Sequence, residues 1–259
     1  MDTLQTFADI VNRPDAEIDL TRAAAMIGLR EYPDLDIDGV AEALDAMAVG
    51  VRDLAALRTR LFADLGLAGE TASYYHPDNS FLHRVVERRR GIPITLSVLA
   101  IEVGRRAGIV LEGIGMPGHF LVREPRSGVF MDAFHGGALL DEQACELLFR
   151  AATGAGPEVP FTAALLPVVN RAQVLGRMLN NLGLVYRVNA DASGVEWTLR
   201  LRLALPEVTG QDIIELAEAV AAQGRARAAV RELEAWAAVS PDLAGPLKLT
   251  ARGLLARLN

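Results

Sequence analysis

The chain has one cysteine among its 259 residues, Cys145, which excludes an internal disulfide. A single thiol is typical of a protein from a reducing compartment. No run approaches the roughly 18 apolar residues that cross a bilayer, and no basic segment followed by an apolar stretch opens the sequence, as a secretory signal would. We therefore expect a soluble, cytoplasmic protein.

Positive charge is also in deficit, because the formal net charge at pH 7 is −7. Nucleic acids and anionic lipids attract positively charged surfaces. The composition therefore predicts neither nucleic acid nor membrane as a partner, and it leaves the oligomeric state open.

Histidine is scarce, and all four residues of this type fall in one part of the chain: His76, His83, His119 and His135. Their spacing matches no helical zinc motif, and a second cysteine that could complete a zinc site is absent from the sequence. A metal site would require the fold to gather these side chains. We predict no metal and no cofactor, and we place His76 and His83 near the surface and His135 in a turn.

Hydrophobic periodicity predicts an α+β protein with helices at both ends. Residues 1–75 read as a helical cap, 76–152 as a core of one central helix on a small antiparallel sheet, 153–167 as a Gly- and Pro-rich linker, and 168–259 as an all-helical domain. The helices predicted near the N-terminus cover residues 4–11, 20–28 and 40–51, the last extending toward residue 62. Those predicted near the C-terminus cover residues 171–188, 197–205, 213–223, 226–238 and 247–258.

The most informative stretch runs from Asn79 to His119. It predicts a first helix that begins at Asp78 or Asn79 and ends with three arginines, 88–90, before Gly91 as a left-handed cap. The arginine run is interpreted either as a solvated helix end or as an anion site. A second helix, from Pro93 to Ala107, is apolar in nearly every direction and should be enclosed, with Glu102 and the arginines 105 and 106 at a wet edge.

After this helix the pattern changes to strands at residues 109–114, 119–124 and 129–134. The last two flank Pro125-Arg126-Ser127-Gly128, which predicts a hairpin. If the turn is centred between Pro125 and Arg126, His119 stands directly opposite Asp132. Opposed residues share a face of the sheet, so an imidazole and a carboxylate should meet there.

An enclosed helix that begins beside a strand histidine, followed by an aspartate on the next strand, resembles the papain-related, transglutaminase-like superfamily. Five segments are similar to the bacterial SirB-type (YchA-like) family in particular: YPDLD (32–36), LFADLGLAG (61–69), YYHPDNSFL (74–82), RRRGIPITLS (88–97) and PGHFLVR (117–123). The resemblance covers nearly the whole chain. It implies a transglutaminase-like core with a tetratricopeptide-like C-terminal segment.

The resemblance also assigns site residues. Active members of the superfamily carry a cysteine at the start of the core helix, where this sequence has Pro93. His119 and Asp132 match the base and its orienting acid, so the resemblance implies a dyad without its nucleophile. The alternative is a core histidine bonded to a carboxylate for stability. The candidate binding residues around the pair are Asn79, Arg90, Gly91, Thr95 and Gly118.

Other nucleophiles are poorly placed for the missing role. Thr95 lies two residues along the helix and points about 200° away from the first position. Ser97 lies a turn deeper, in the enclosed part. Cys145 shares a helix face with Leu148 and Phe149, which favours a small buried hydrophobe over a reactive thiol.

Two function classes therefore remain. The first, which we favour, is a pseudoenzyme whose cleft binds a protein or peptide. The second is a hydrolase or acyl-transfer enzyme that uses His119 and Asp132 with water or a non-cysteine hydroxyl. Pro206 and Pro241 lie about 35 residues apart, close to the tetratricopeptide period of about 34. The C-terminal repeats should form either a further binding surface or a helical lid on the core.

Overall fold

The computed structural model describes residues 3–256 of the chain. Its helices are α1 (Thr3–Val11), α2 (Leu20–Met26), α3 (Ile37–Ala48), α4 (Leu54–Arg58), α5 (Leu82–Arg88), α6 (Pro93–Arg106), α7 (Glu142–Thr153), α8 (Arg171–Val188), α9 (Ala192–Arg202), α10 (Gly210–Ala222), α11 (Ala226–Val239) and α12 (Ala244–Ala256). Its strands are β1 (Ala68–Gly69), β2 (Arg90–Gly91), β3 (Glu112–Ile114), β4 (Leu121–Arg123), β5 (Phe130–Asp132), β6 (Ala138–Leu140) and β7 (Val168–Val169). No described helix has the length and apolar character needed to traverse a bilayer.

The chain forms two compact units. One unit is Asp19–Met178, and the other combines the described parts of segments 1–18 and 179–259. These bounds differ from the predicted ones, because α8 runs without a break across the position that divides the units and α1 packs against α9 of the C-terminal segment. Residues 153–167 and the first part of α8 thus lie within the unit that holds the sheet.

The central helix α6 organises the larger unit. Pro93 occupies its first turn, where the missing amide hydrogen has no intrahelical partner, and Ile92 precedes it as the N-cap. Most of its residues are buried against α3, α5 and strands β3 and β4. The predicted enclosed helix is therefore confirmed, with its end at Arg106 in place of Ala107.

Glu102 on this helix was predicted at a wet edge, and that prediction is wrong. The residue is 1% exposed. Its carboxylate accepts a 2.6 Å hydrogen bond from the hydroxyl of Thr21 on α2 and bonds from the guanidinium groups of Arg105 and Arg106. A buried carboxylate persists because these partners replace its water shell.

A five-stranded antiparallel sheet in the order β6-β5-β4-β3-β7 packs against α6. The predicted hairpin is present, but its register differs: Val122 pairs with Met131, and Arg123 with Phe130. All four residues 125–128 form the loop, which is closed by the bond from the Glu124 amide to the Val129 carbonyl. The turn is thus centred one residue later than predicted.

The end of α5 also differs from the prediction. Arg89, with φ of +60°, is the left-handed C-cap, and Gly91 lies instead in β2. Of the three arginines only Arg90 is exposed, as a solvated end requires. Arg88 and Arg89 are partly buried, and they donate to the Asn79 amide oxygen and to the Leu65 carbonyl. Asn79 lies in a short 3-10 turn before α5 and does not cap that helix, which begins after Phe81.

The helix predicted from residue 40 toward residue 62 is divided in two. Gly50, whose φ is +78°, interrupts the helical conformation between α3 and α4. After α4 the residues Thr59–Asp64 form a π-helical segment. Single π turns inside helices are frequent near functional sites, because the extra residue redirects side chains.

The C-terminal segment consists of helices that each pack against the next, from α9 to α12. The helix predicted from residue 197 begins at Ala192, because the Asp191 carboxylate accepts the amide of Gly194 and caps the first turn. The terminal helix predicted to residue 258 is described as far as Ala256, and its last two predicted residues lie outside the described range.

Candidate functional site: an aspartate between two histidines

The predicted contact between His119 and Asp132 is present, and a second histidine joins it. Nε2 of His119 lies 3.0 Å from one carboxylate oxygen of Asp132, and Nδ1 of His135 lies 2.7 Å from the other. Asp132 is 1% exposed and His119 is 9% exposed, whereas the side chain of His135 is 57% exposed. The cluster therefore joins the interior to the surface.

His119 and Asp132 remain in contact although the strand register differs from the predicted one. Moving the turn centre by one residue moves the cross-strand partner of each residue by two positions. In the observed ladder Leu121 takes the place opposite Asp132, and His119 lies two residues before it. A shift of two keeps every side chain on its original face, so His119 becomes a diagonal neighbour of Asp132 within reach of a long side chain.

Backbone turns on both sides fix the two rings. On one side, the amide of His119 closes a turn on the carbonyl of Met116, and Gly118 holds φ of +74°, which favours glycine. Arg177 of α8 donates to the carbonyls of Gly115, Met116 and His119 and holds this turn in place. Sequence reasoning missed Arg177, because a lone arginine in a helix does not reveal which carbonyls it reaches.

On the other side, Asp132 organises the turn that carries His135. Its Oδ1 accepts the backbone amides of Phe134 and His135, at 2.9 and 3.3 Å. Two left-handed glycines follow, Gly136 and Gly137. The sequence His-Gly-Gly signalled a turn, but it could not show that this turn folds back on the carboxylate.

The π-helical segment after α4 supports the same turn. The Phe62 ring lies so close to Gly137 that a Cβ there would approach the ring to 2.3 Å. Arg58 donates a 2.6 Å bond to the Gly137 carbonyl. The turn is therefore held from a part of the chain far away in sequence.

The ionisation of Asp132 follows from these contacts. Burial favours the neutral acid, but the hydrogen bonds and charges of His119 and His135 outweigh it and hold the pKa of Asp132 below its usual value. The carboxylate is therefore charged at neutral pH and can orient both rings.

A chain of backbone bonds connects the start of α6 with the Asp132 turn. β1 and β2 pair in parallel, with Gly69 beside Gly91. The Gly69 amide donates to the Phe134 carbonyl, and the Glu70 amide donates to the Gly91 carbonyl. A side chain at Gly69 would strike the Phe134 ring at 2.6 Å, which explains the glycine there.

The candidate nucleophiles are all enclosed. Thr95 and Ser97 are 0% exposed, and their hydroxyls have no hydrogen-bond partner among the described residues. Cys145 lies in an apolar cluster with Met116, Leu121 and Phe149. Burial, with nearby carboxylates, raises the pKa of the Cys145 thiol to about 11, so this sulfur is a poor nucleophile at neutral pH.

The other predicted binding residues have local partners. The buried Asn79 amide donates to the carbonyls of Ser73 and Tyr74 and so holds the loop before α5. Arg90 is exposed and bonds to backbone carbonyls. Nothing in their contacts brings Asn79 or Arg90 to the His119 ring.

Three of the residues described could hold a metal ion together. Ligand atoms of His119, Asp132 and His135 all lie within 4.8 Å of one another. His76 is exposed and outside this group, as expected, whereas the prediction for His83 is wrong: it is buried against Tyr32 and Phe81.

Comparison with known proteins assigns the chain to a family. A family model described as the transglutaminase-like superfamily matches residues 34–180, more than half of the sequence. The chain belongs to the transglutaminase-like superfamily. The match contains α6, His119 and Asp132, and so confirms the superfamily part of the resemblance.

Among curated members related to this transglutaminase-like protein, a UPF0162 protein of Xylella fastidiosa is 40% identical over 193 residues, which span 68% of each chain. A UPF0162 protein of Pseudomonas aeruginosa is 29% identical over 223 residues, 86% of this chain and 77% of that one. The mouse F-box only protein 21 is 37% identical over 139 residues, which cover 50% of this chain and 21% of the mouse protein. No solved structure matches the chain.

Proposed function

We propose that this transglutaminase-like protein is non-catalytic and binds a protein or peptide beside His119 and Asp132. The observation that carries the proposal is Pro93. It occupies the first turn of the buried helix α6, the position where the superfamily's nucleophile stands, and it offers no thiol or hydroxyl.

The backbone bonds between β2, Glu70 and the Phe134 turn support the placement of this helix start near Asp132. The alternative nucleophiles are buried or, in the case of Cys145, resist ionisation. The dyad therefore has an orienting acid and a base but no group on which the base could act.

An aromatic rim supports binding in place of catalysis. It consists of Tyr74, Tyr75 and Phe134, with ring centroids 5.3 Å apart for the two tyrosines and 6.3 Å apart for Tyr74 and Phe134. Phe134 also packs edge-on against both histidines of the site. Both tyrosines are exposed, and exposed tyrosines give a rigid contact area with a polar end that suits peptide recognition.

Peptide binding can be tested with sequences selected from a random peptide display library and measured by fluorescence anisotropy with a chelator present. We expect Tyr75→Ala to weaken binding about tenfold, as loss of an interface aromatic does, without lowering the melting temperature. Val110→Ala, at an exposed position outside the rim, serves as the control and should bind like the wild type. Equal affinity of all three proteins would refute the rim as a binding surface.

The His119→Ala variant separates binding from catalysis. If the dyad is non-catalytic, the wild type and the variant should both release no fluorescent fragments from labelled casein. Loss of the ring should also lower the free energy of unfolding by about 1–3 kcal/mol, because the buried Asp132 loses one partner. Denaturant titration measures that change.

The second candidate is a hydrolase that uses water. One observation favours it: Nε2 of His119 is bound by Asp132, while no described residue forms a hydrogen bond with its Nδ1. A ring oriented in this way could take a proton from water. Casein cleavage by the wild type that disappears in His119→Ala, with little change in stability, would establish this reading and exclude the first.

The proposal includes three finer assignments. The five matching segments favour the SirB-type branch of the superfamily. The sequential packing of α9 to α12 and the spacing of Pro206 and Pro241 favour a tetratricopeptide-like segment that adds contact surface. The single buried cysteine favours a cytoplasmic protein.

A further inference from the structure

We propose that His119, Asp132 and His135 form a binding site for one divalent transition-metal ion, with Zn²⁺ as the expected occupant. The inference goes beyond peptide binding and does not depend on it. It rests on the donor atoms that the fold gathers from the turn before β4 and the turn after β5.

The distances are close to those that a single ion requires. Bonds of about 2.0–2.2 Å from a tetrahedral zinc ion to nitrogen and oxygen place neighbouring donor atoms about 3.3–3.6 Å apart, so the donors at Asp132 would have to separate by less than about 1 Å. The two nitrogen–oxygen separations at Asp132 are 3.0 and 2.7 Å. The two ring nitrogens lie within 4.8 Å of each other, and a small rotation of the exposed His135 ring would close that gap.

The surroundings already orient the donors. The backbone amides of Phe134 and His135 hold the Asp132 carboxylate, and partners of this kind around a ligand raise its metal affinity. Phe62 and Arg58 hold the Gly137 turn on the far side of His135. Each ring would coordinate through a nitrogen without hydrogen, so the proton it now shares with Asp132 moves to the other ring nitrogen or is released to solvent.

The donor set and its exposure define the kind of ion. Two imidazoles with one carboxylate suit zinc, cobalt, nickel and iron(II) better than magnesium or calcium, which prefer oxygen ligands. Three protein donors leave the remaining positions to water, and the exposed His135 gives the ion a route from solvent. The site would thus be open to an added ligand.

The test uses the full chain after removal of metals with a chelator. Calorimetry with ZnCl₂ and visible absorption with CoCl₂ should each show one bound ion per chain. The absorption spectrum should also indicate a low coordination number for the bound cobalt ion. His135→Ala changes an exposed ring and should fold normally. We expect it to lower the affinity for both ions at least about 100-fold, since even outer partners of a metal ligand contribute 10- to 100-fold.

His76→Ala is the matched control, because His76 is exposed and lies outside the cluster. It should bind both ions like the wild type, and Zn²⁺ should raise the melting temperature of the wild type and of this control but not of His135→Ala. Absence of stoichiometric binding, or binding that His76→Ala weakens and His135→Ala leaves unchanged, would overturn the inference. Peptide binding in the presence of chelator would be unaffected by either result, so the two proposals fail separately.

Discussion

The Pro93→Cys variant should react with iodoacetamide at pH 6 at least about ten times faster when folded than when unfolded. A thiol in the first turn of α6 lies at the positive end of the helix dipole, which lowers a cysteine pKa from about 8.5 into the range of about 3.5–7.5. A neighbouring imidazole from His119 would add to this effect. Mass spectrometry of the alkylated protein, with a chelator present, gives both rates.

The wild type provides a clean background for this experiment. Its one cysteine, Cys145, is buried, and its pKa is raised to about 11. The double variant Pro93→Cys with His119→Ala isolates the histidine and should lose much of the rate advantage. A folded-state rate equal to or below the unfolded one would show that a thiol at the buried position 93 is not activated by His119 and the start of α6. The assignment of Pro93 to the nucleophile position would then be wrong.

The Glu102→Gln variant should lower the free energy of unfolding by about 3 kcal/mol at pH 7, because a buried ion pair that loses one charge leaves the other without compensation. Arg106 is mostly buried beside Glu102 and would retain the exposed carboxylate of Asp45 and the neutral backbone carbonyl of residue 102 as partners. Urea denaturation followed by circular dichroism measures the difference between the variant and the wild type.

The same comparison should depend on pH. Burial alone would raise the pKa of Glu102, but the hydrogen bonds from Arg105 and Thr21 outweigh burial and hold it below 4.5, the usual value. The unfolded carboxyl therefore binds a proton more readily than the folded one, so the stabilisation is complete above about pH 5 and is lost as the pH falls through the folded-state pKa. The difference in the free energy of unfolding between the wild type and Glu102→Gln should therefore become smaller as the pH falls.

Glu112→Gln is the control for the charge change. Glu112 pairs with Arg123 across β3 and β4, but both side chains are about one-third exposed. Such a pair contributes about 0.2–1 kcal/mol, so its loss should be small. If both variants lost the same stability, the buried network around Glu102 would not be an important stabilising element of this fold.

The elements with strong local signals could be predicted from the sequence. Pro93 marked the first turn of α6, and apolar residues on every side indicated that this helix is enclosed. The burial of Glu102 could not be predicted, because its partner Thr21 lies on α2, more than 80 positions earlier in the sequence. Hydrophobic periodicity carries no information about such a contact. The left-handed C-cap at Arg89 was not predicted for a different reason: glycine is the usual residue in the left-handed conformation, and Gly91 is close by.

At the candidate site, the sequence predicted the contact and not its surroundings. His119 and Asp132 meet because strand alternation fixes the face of each side chain, even when the turn position is misjudged. The role of His135 depends on the turn that Phe62 supports from about 70 residues away. Only the folded chain reveals such a long-range arrangement.

The π-helical segment Thr59–Asp64 makes the site sensitive to chain length. A π turn holds one residue more than an α-helical turn, so removal of one residue between α4 and Phe62 would restore regular winding and rotate Phe62 by about 100° relative to α4. Gly137 would then lose the ring beside it. Natural variants of this protein should tolerate exchanges along that segment far better than insertions or deletions, although the segment itself carries none of the reactive groups.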